Sequence, residues 1–387
     1  MKSLRKPTKL TGDNHHLIIK KNSTKLIIFF TGTGAKQGHF FFYGVGQKLD
    51  CNVLFINNGL NEWYQEGIPS LGTKTFEKTL IVLKKWIDYL GITEIYTCGQ
   101  SMGGYGALLY GIHLNAKVLS IGSEIVLEEE GARSIIHVKS PLNINFNLLD
   151  LISNASNEIY IYAGEDDPID IYQSSKVSSL IDFPHVTVFS LVELNHNIAK
   201  YLRQKHRLTP LLEDFINNRA MPRMPEEGNA CTIDGFAEAY YKQSNHIKNK
   251  EWELSLKFGE IAVEKYNTCA YAQYMLGLSY LQTGRFVEAL QHLSIARSLV
   301  PTNLEYQFTV ANCMRRMGHL AKARYLHLKT LQINKDHAKT HYDLSILYAK
   351  TGDKKGAIAR AKHALRLEPK NVNFQKRVDK LTKVKKK

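Results

Sequence analysis

Residues 94–107 indicate the fold of the first half of the chain, and they read Glu94-Ile95-Tyr96-Thr97-Cys98-Gly99-Gln100-Ser101-Met102-Gly103-Gly104-Tyr105-Gly106-Ala107. A β-rich run ends at Gly99, and the small residues typical of a helix start follow Ser101. A Gly-x-Ser-x-Gly pattern between a strand and a helix holds its serine on a strained turn, so that the hydroxyl projects above the sheet edge. The two flanking glycines remove side chains that would collide there. The segment therefore predicts Ser101 as an exposed nucleophile.

Short apolar runs alternate with longer amphipathic stretches on both sides of this segment. The runs predict buried parallel strands at residues 26–30, 53–57, 95–98, 118–122, 159–163 and 186–191. Helices are predicted at residues 76–90, 101–114 and 198–215. This order of strands and helices is typical of an α/β fold, with a mostly parallel sheet and flanking helices.

A second pattern begins beyond residue 235, where the chain repeats itself every 34 residues. Glycines and alanines recur at this spacing as Gly284, Gly318 and Gly352, and as Ala289, Ala323 and Ala357. Glycine permits a turn and alanine lets two helices approach closely, so each unit is predicted to be a helix-turn-helix. Repeats are expected at 270–303, 304–337 and 338–371. A degenerate unit is expected at 236–269, with Lys250 in the turn-glycine position, and a capping helix after Val372.

Composition divides the chain at the same place. Residues 218–235 contain Pro222, Pro225 and Gly228 with little periodicity, so we predict an α/β domain at 1–217, a linker at 218–235 and an all-α repeat domain at 236–387. The net charge of +15 falls entirely in the second half, because residues 1–217 carry 21 basic and 21 acidic side chains. The excess indicates either a surface for a polyanion or a feature that only serves solubility.

Several function classes are excluded by what the sequence lacks. The first long apolar run, 26–30, is far shorter than the roughly 20 residues of a membrane span, so neither a signal peptide nor a transmembrane helix is predicted. The five scattered cysteines form no Cys-x-x-Cys pair, so we expect a reducing cytoplasm and no structural metal. No phosphate loop or dinucleotide fingerprint is present, and we expect neither a nucleotide cofactor nor a nucleic-acid partner.

Two further loops follow predicted strands and contain side chains suited to catalysis. They are Gly164-Glu165-Asp166-Asp167-Pro168 and Glu193-Leu194-Asn195-His196-Asn197. Together with the serine turn they resemble the α/β-hydrolase superfamily, whose catalytic residues come in the order serine, acid, histidine. The resemblance implies that His196 is the general base and that Asp167 orients it, with Asp166 as the alternative acid.

The same resemblance implies an oxyanion hole and a pocket. The N–H of Met102 would supply one donor, and the N–H of Thr33, or else of Gly34, would supply the other. Thr31 stands where the family usually has a histidine. Among the nearby aromatic residues, Trp63 and Tyr64 are predicted to form a pocket wall, and Phe40-Phe41-Phe42-Tyr43 are predicted to pack in the core.

The 34-residue units resemble the tetratricopeptide repeat, on Leu276-Gly277, Tyr280, Gly284, Ala289, Ala296 and Pro301. The resemblance implies a concave groove lined by the first helix of each repeat, with Tyr274, Leu278, Phe308, Asn312, Arg316, Tyr342, Ile346 and Lys350 facing it. Aromatic and cationic side chains there would bind an acidic peptide or a charged glycan, unless the aromatics only pack. The lysines of residues 380–387 would contact an anionic membrane surface or form a frayed helix end.

These features predict a serine-nucleophile acyl-ester hydrolase or O-acyltransferase that works through an acyl-enzyme. Its substrate would be an acyl ester, such as an acylated bacterial polysaccharide, and a transferase would need a donor such as acyl-CoA. The repeats would bind a protein or an anionic polysaccharide. The alternative is a tetratricopeptide interaction scaffold whose hydrolase domain is degenerate.

Overall fold

The computed structural model describes residues 10–59, 61–137, 146–179 and 184–382. The chain separates into two compact units, Met1–Tyr241 and Lys242–Lys387. The lysines at 383 and 385–387, for which a membrane contact was expected, lie outside the described residues. Within the described ranges, no helix is both long and apolar enough to cross a membrane.

The first unit contains one sheet, to which nine strands of the described residues belong, in the order β1-β2-β4-β3-β5-β6-β7-β8-β9. The strands are β1 (Thr11–Gly12), β2 (His15–Ile18), β3 (Lys25–Phe30), β4 (Asn52–Ile56), β5 (Glu94–Gln100), β6 (Lys117–Ile121), β7 (Ile159–Gly164), β8 (Val186–Leu191) and β9 (Glu227–Gly228). The six from β3 to β8 are parallel, whereas β1, β2 and β9 pair antiparallel at the two edges.

Helices cover both faces of this sheet. They are α1 (Tyr43–Gly46), α2 (Phe76–Leu90), α3 (Met102–His113), α4 (Arg133–His137), α5 (Leu148–Ser153), α6 (Pro168–Ser178), α7 (Ile198–Gln204) and α8 (Leu208–Ile216), with a 3-10 turn at Pro69–Leu71. Successive residues of a strand point to opposite faces. Accordingly, Ile28 and Phe30 of β3 belong to one apolar core, and Ile27 and Phe29 belong to the other. Burial on both faces explains why the parallel strands are continuous apolar runs.

The six predicted parallel strands are confirmed, and the antiparallel edge strands β1, β2 and β9 were not predicted. The long helix expected at 198–215 is two helices, α7 and α8. The chain turns between them at His206, whose φ is 56°. The mixed α/β class of the prediction is therefore correct at the level of element order.

The segment 218–235, predicted as a linker, runs along the sheet of the first unit. It carries β9, which pairs antiparallel with β8. Its Met224 and Ala230 are buried, and the Ala230 N–H donates to Ser190 Oγ at 3.0 Å. The division between the units falls after Tyr241 rather than at this segment. A two-residue strand that follows two prolines has no periodicity, which is why the sequence indicated a linker.

From residue 236 onward the described chain is helical. The helices are α9 (Phe236–Asn249), α10 (Trp252–Lys265), α11 (Ala270–Gln282), α12 (Phe286–Leu299), α13 (Leu304–Arg316), α14 (Leu320–Ile333), α15 (Ala338–Lys350), α16 (Lys354–Leu367) and α17 (Val372–Thr382). The turn glycines Gly284, Gly318 and Gly352 have φ of 81°, 86° and 85°. Lys250, at the equivalent place of the degenerate unit, also has a positive φ, 62°. The helical hairpins recur at the predicted period, so the repeat array is confirmed.

Candidate active site

Ser101 lies on the turn between β5 and α3. Its φ of 61° and ψ of −128° are a conformation that a residue with a side chain rarely adopts. A Cβ atom on Gly99 would overlap the carbonyl oxygen of Gly103, and a Cβ on Gly103 would overlap the carbonyl oxygen of Phe30. Both flanking glycines are therefore required by close backbone approach, as the Gly-x-Ser-x-Gly pattern predicts.

His196 lies beside this turn and pairs with a buried carboxylate. Its Nδ1 lies 2.9 Å from Oδ1 and 3.1 Å from Oδ2 of Asp170, whose side chain is fully buried. Gln100, the neighbour of Ser101, donates from Nε2 to the His196 carbonyl oxygen at 2.7 Å. A Cβ on Gly122 would lie 2.8 Å from Asp170 Oδ2 and 3.0 Å from His196 Nδ1, so this glycine leaves room for the pair. The His196–Asp170 pair thus lies beside the turn that carries Ser101.

Asp167, the predicted acid, has a different role. Its side chain caps α6 by accepting from the N–H groups of Ile169 and Asp170, both at 3.1 Å. The prediction of Asp167 was wrong, because Asp170, three residues further along in the first turn of α6, contacts the imidazole of His196. The alternative acid Asp166 has its pKa raised to about 7 by burial and by nearby Glu193 and Glu165. Neither Asp166 nor Asp167 forms the hydrogen bond with His196 Nδ1, which is made by Asp170.

Arg133 of α4 holds both acids and was not predicted. Its guanidinium contacts Asp167 Oδ2 at 2.6 Å and Asp170 Oδ1 at 3.0 Å. Burial would raise the pKa of Asp170, but His196 and Arg133 outweigh it and the pKa lies below its usual value. Burial would lower the pKa of His196, but Asp170 outweighs it and the pKa lies above its usual value. The pair therefore stabilises an imidazolium, as a general base requires.

The same cluster has the donor atoms of a small metal site. Asp167, Asp170 and His196 offer three ligand atoms within 4.8 Å of one another. The guanidinium of Arg133 already contacts both carboxylates and supplies the positive charge that a cation would bring. The arrangement fits an oriented histidine better than a metal centre.

The two predicted oxyanion donors are Met102, which follows Ser101, and Thr33, which lies in the loop after β3. Met102 is the first residue of α3, and its side chain is buried. The Gly34 N–H donates to Asn61 Oδ1 at 3.1 Å, so that group is already engaged. Thr33 N–H makes no hydrogen bond to another described residue, which favours Thr33 over Gly34 as the second donor.

The structure overturns the pocket-wall assignment of Trp63 and Tyr64, whereas Phe40 and Phe42 pack on the core as predicted and Phe41 and Tyr43 are exposed. Trp63 and Tyr64 are 1% and 0% exposed and belong to the core, so the predicted pocket wall was wrong. The Tyr64 hydroxyl donates to the Thr31 carbonyl oxygen at 2.7 Å and supports the loop before Thr33. The run 40–43, predicted as core, lines a cavity of about 680 Å³ that also borders Gln100 and Asn197. Which of these aromatic side chains are buried depends on packing that the sequence pattern does not specify.

The predicted groove residues of the repeats fall into two groups. The aromatics pack: the Tyr274 ring lies 4.8 Å from that of Tyr306, and the Tyr342 ring lies 5.1 Å from that of Phe374. The polar members are reachable, since Arg316 and Lys350 are exposed and Asn312 is half-buried. Of the eight predicted groove residues, only Arg316 and Lys350 are therefore exposed, whereas Leu278, Phe308, Tyr342 and Ile346 are half-buried and Tyr274 is buried.

A scan against models of protein families and a search of curated proteins give no match to the chain. Among solved structures it is similar to YrrB, a TPR protein with an unusual peptide-binding site, at 18% identity over 46% of this chain and 88% of that one, with a TM-score of 0.35. It is similar to TTC0263, a TPR protein of Thermus thermophilus, at 18% identity over 48% and 95%, with a TM-score of 0.34. It is also similar to the MamA protein, at 13% identity over 38% and 80%, with a TM-score of 0.34. At TM-scores this low, the likenesses add no argument about function.

Proposed function

We propose that the first unit is a serine-nucleophile acyl-ester hydrolase or O-acyltransferase of the α/β-hydrolase type. The observation that carries the proposal is the His196–Asp170 pair, at 2.9 Å, beside a serine in a strained strand-to-helix turn. The chain order of serine, acid and histidine is that of α/β-hydrolases. An acylated polysaccharide is the specific substrate that the sequence resemblance favours.

Each residue has a defined part in the reaction. Ser101 Oγ attacks the ester carbonyl while His196 takes its proton, and Asp170 holds the other ring nitrogen as the N–H tautomer. Met102 and Thr33 N–H groups stabilise the oxyanion. The alcohol leaves with the proton from His196, and an acyl-enzyme remains. Water then releases the acid in a hydrolase, whereas a second hydroxyl takes the acyl group in a transferase.

The proposal is tested by labelling with a fluorophosphonate probe. We expect the wild-type protein to form a covalent adduct, and the Ser101→Ala variant to form none. Ser179→Ala is the matched control, because Ser179 is an exposed serine whose hydroxyl only donates to the Lys176 carbonyl oxygen. An unlabelled wild-type protein, or labelling that persists in Ser101→Ala, would remove the enzyme interpretation.

A second candidate function is that of an interaction scaffold, in which the repeats bind a protein or a polyanion. The observation that favours it is the charge of residues 218–387, with 30 basic and 15 acidic side chains, and the exposure of Arg316 and Lys350 in the array. These two cations end α13 and α15, so they occupy equivalent positions in two successive repeats. A cation that recurs with the repeat suits a ligand whose negative charges also recur along its length.

The scaffold candidate is tested by calorimetric titration with an anionic polymer at two salt concentrations. Affinity should fall steeply with salt, because exposed charges are screened within about 10 Å at 0.1 M. Arg316→Glu with Lys350→Glu should weaken binding, whereas Arg324→Glu with Lys322→Glu, exposed on a second helix, should not. Polymer binding that depends neither on salt nor on Arg316 and Lys350, or no binding at all, would remove the polyanion and leave a protein as the partner.

A further inference from the structure

The cavity lined by the run 40–43 borders the candidate active site. Its volume of about 680 Å³ lies within the range of about 300–1,000 Å³ usual for small-molecule sites. Gln100 precedes Ser101 and Asn197 follows His196, and both line it. A Cβ on Gly32 would lie 2.7 Å from the Phe41 ring, so the aromatic run packs directly on the loop that carries Thr33. A molecule in this cavity therefore lies against both the nucleophile turn and the histidine loop.

The wall of the cavity is basic. Lys48, Lys200 and Arg203 line it, together with His206, and no aspartate or glutamate among the described residues does. These three cations are exposed, and none of them has an ion pair with another described residue. Arg207, by contrast, pairs with Glu226 Oε1 at 2.8 Å.

This local excess of positive charge is not a reflection of the domain as a whole. Residues 1–217 carry equal numbers of basic and acidic side chains, 21 of each, so the clustering is specific to this wall. Lys200 and Arg203 stand three residues apart on α7 and so share one face of that helix. Like charges at this spacing repel each other, and a bound anion would relieve that repulsion.

Another part of the wall is aromatic. Phe41 and Tyr43 are each 40% exposed, and Phe40 and Phe42 are half-buried. Aromatic faces of this kind stack against flat rings and pack against the apolar C–H face of sugar rings. Cations facing a carboxylate or phosphate form short, charge-assisted hydrogen bonds. One cavity therefore offers a ring surface and an anion-binding surface side by side.

We propose that this cavity binds the ring-bearing, anionic part of the ester substrate, with its ring against Phe41 and Tyr43 and its acidic group against Lys200 and Arg203. The assignment of the ligand as substrate rests on the proposed esterase function. The binding itself is a property of the cavity and can be measured without turnover. The ring has two possible sources, an aromatic acid or an acidic sugar, which share this chemistry.

The test is isothermal titration of the Ser101→Ala protein, which cannot consume an ester through that serine. One arm compares 4-acetoxybenzoate with its neutral methyl ester, and the other compares glucuronate with glucose. At least one anion should bind about tenfold more tightly than its neutral counterpart. The arm in which this occurs identifies the source of the ring.

Matched variants locate the binding. Lys200→Gln with Arg203→Gln should abolish the preference for the anion. Lys205→Gln with Lys84→Gln removes the same charge from exposed positions that do not line the cavity, and should leave the preference intact. All these side chains are exposed, and thermal melting checks that every variant is folded. Lys48→Gln, from another element of the wall, provides an independent variant expected to weaken the preference.

The outcomes separate this proposal from the esterase. Equal binding of anion and neutral partner in both arms, or equal loss in the two charge-matched pairs, would overturn the cavity assignment. If the anion binds as expected but no fluorophosphonate adduct forms on Ser101, the cavity stands as an anion site and the esterase function falls. If the adduct forms but no anion is preferred, the esterase stands and its substrate is not of this class.

Discussion

His196 Nδ1 lies 2.9 Å from Oδ1 of Asp170, a carboxylate that stands three residues beyond the aspartate favoured by the sequence. Asp167 itself caps α6 and contacts Arg133. The His196 imidazole contacts the buried Asp170 carboxylate, which in turn contacts the Arg133 guanidinium. Each of them is open to a separate test.

The first prediction distinguishes the two aspartates. Asp170→Asn should lower kcat/KM for 4-nitrophenyl acetate by about three to four powers of ten, because the histidine loses its tautomer and its charge partner. Asp167→Asn should lower it by less than about tenfold, since an asparagine still caps a helix well. Steady-state rates of the two folded variants provide the measurement, and the reverse order would restore Asp167 as the acid.

The second prediction concerns pH. Asp170 holds the pKa of His196 above its ordinary value, and a general base must be neutral, so kcat/KM should rise with pH through a midpoint above about 6.5. Arg133 lowers and Asp167 raises the pKa of His196, so Arg133→Gln should move the midpoint up and Asp167→Asn should move it down. Rates from pH 5 to 9 would show this, and two shifts in the same direction would contradict it.

The pKa shifts of His196 and Asp170 also determine how the stability of the fold changes with pH. Because the pKa of His196 is raised in the folded state, its pairing stabilises the fold below the unfolded pKa of about 6.5 and is lost as pH rises through the folded pKa. The pKa of Asp170 is lowered, so its contribution is present above about pH 4 and is lost as pH falls further.

The third prediction concerns the nucleophile turn. Gly99→Ala and Gly103→Ala should each destabilise the first unit by about 3 kcal/mol or more and abolish labelling of Ser101, since the new methyl group would overlap a carbonyl oxygen. Gly44→Ala is the control, because a Cβ there meets no atom within 4 Å. Chemical unfolding measures the three free energies, and equal values would show that the turn can relax.

The fourth prediction lies in the repeats. His327 is fully buried, 3.7 Å from Asp343 Oδ2, and burial together with Arg315 and His337 lowers its pKa to about 3. The imidazole is therefore neutral in the fold, and the unfolded chain gains its proton below about pH 6.5. Stability should fall as pH drops from about 6.5 towards 4.

A substitution isolates this effect. His327→Leu should flatten the decline in melting temperature between pH 7 and pH 5, measured by calorimetry on the full chain. His319→Leu is the control, because His319 is exposed. The pKa of Asp343 is raised by burial, so its contribution changes in the opposite sense, increasing as pH falls. The same slope in both histidine variants would show that His327 does not titrate on unfolding.

The parallel strands and the repeats could be predicted because each depends on a local pattern. A strand buried on both faces must be a continuous apolar run, as in β3, and a hairpin turn needs a positive φ, as at Gly284. The serine turn was predictable for the same reason, because Gly99 and Gly103 are required by backbone contacts within and beside that turn.

The remaining features depend on contacts between distant segments. Asp170 was not predicted because its sequence context does not distinguish it from other acidic residues of helices. Only the fold brings it to His196. Arg133 lies in no motif, and its role appears only where α4 meets α6. The run 40–43 and the pair Trp63-Tyr64 are both aromatic, and only packing decides which of their side chains are exposed.

Strand β9 also has a practical consequence for dividing the chain. It covers Ser190 and Leu191 of β8, and the preceding Glu226 carbonyl oxygen accepts from the Val192 N–H at 2.7 Å. A fragment ending at Asn217 would leave this side of β8 with unpaired backbone groups, the kind of edge on which strands of other molecules add and aggregation begins. Expression of the first unit should therefore extend to Tyr241, and loss of solubility on shortening it to Asn217 would reflect an uncovered sheet edge rather than damage to Ser101 or His196.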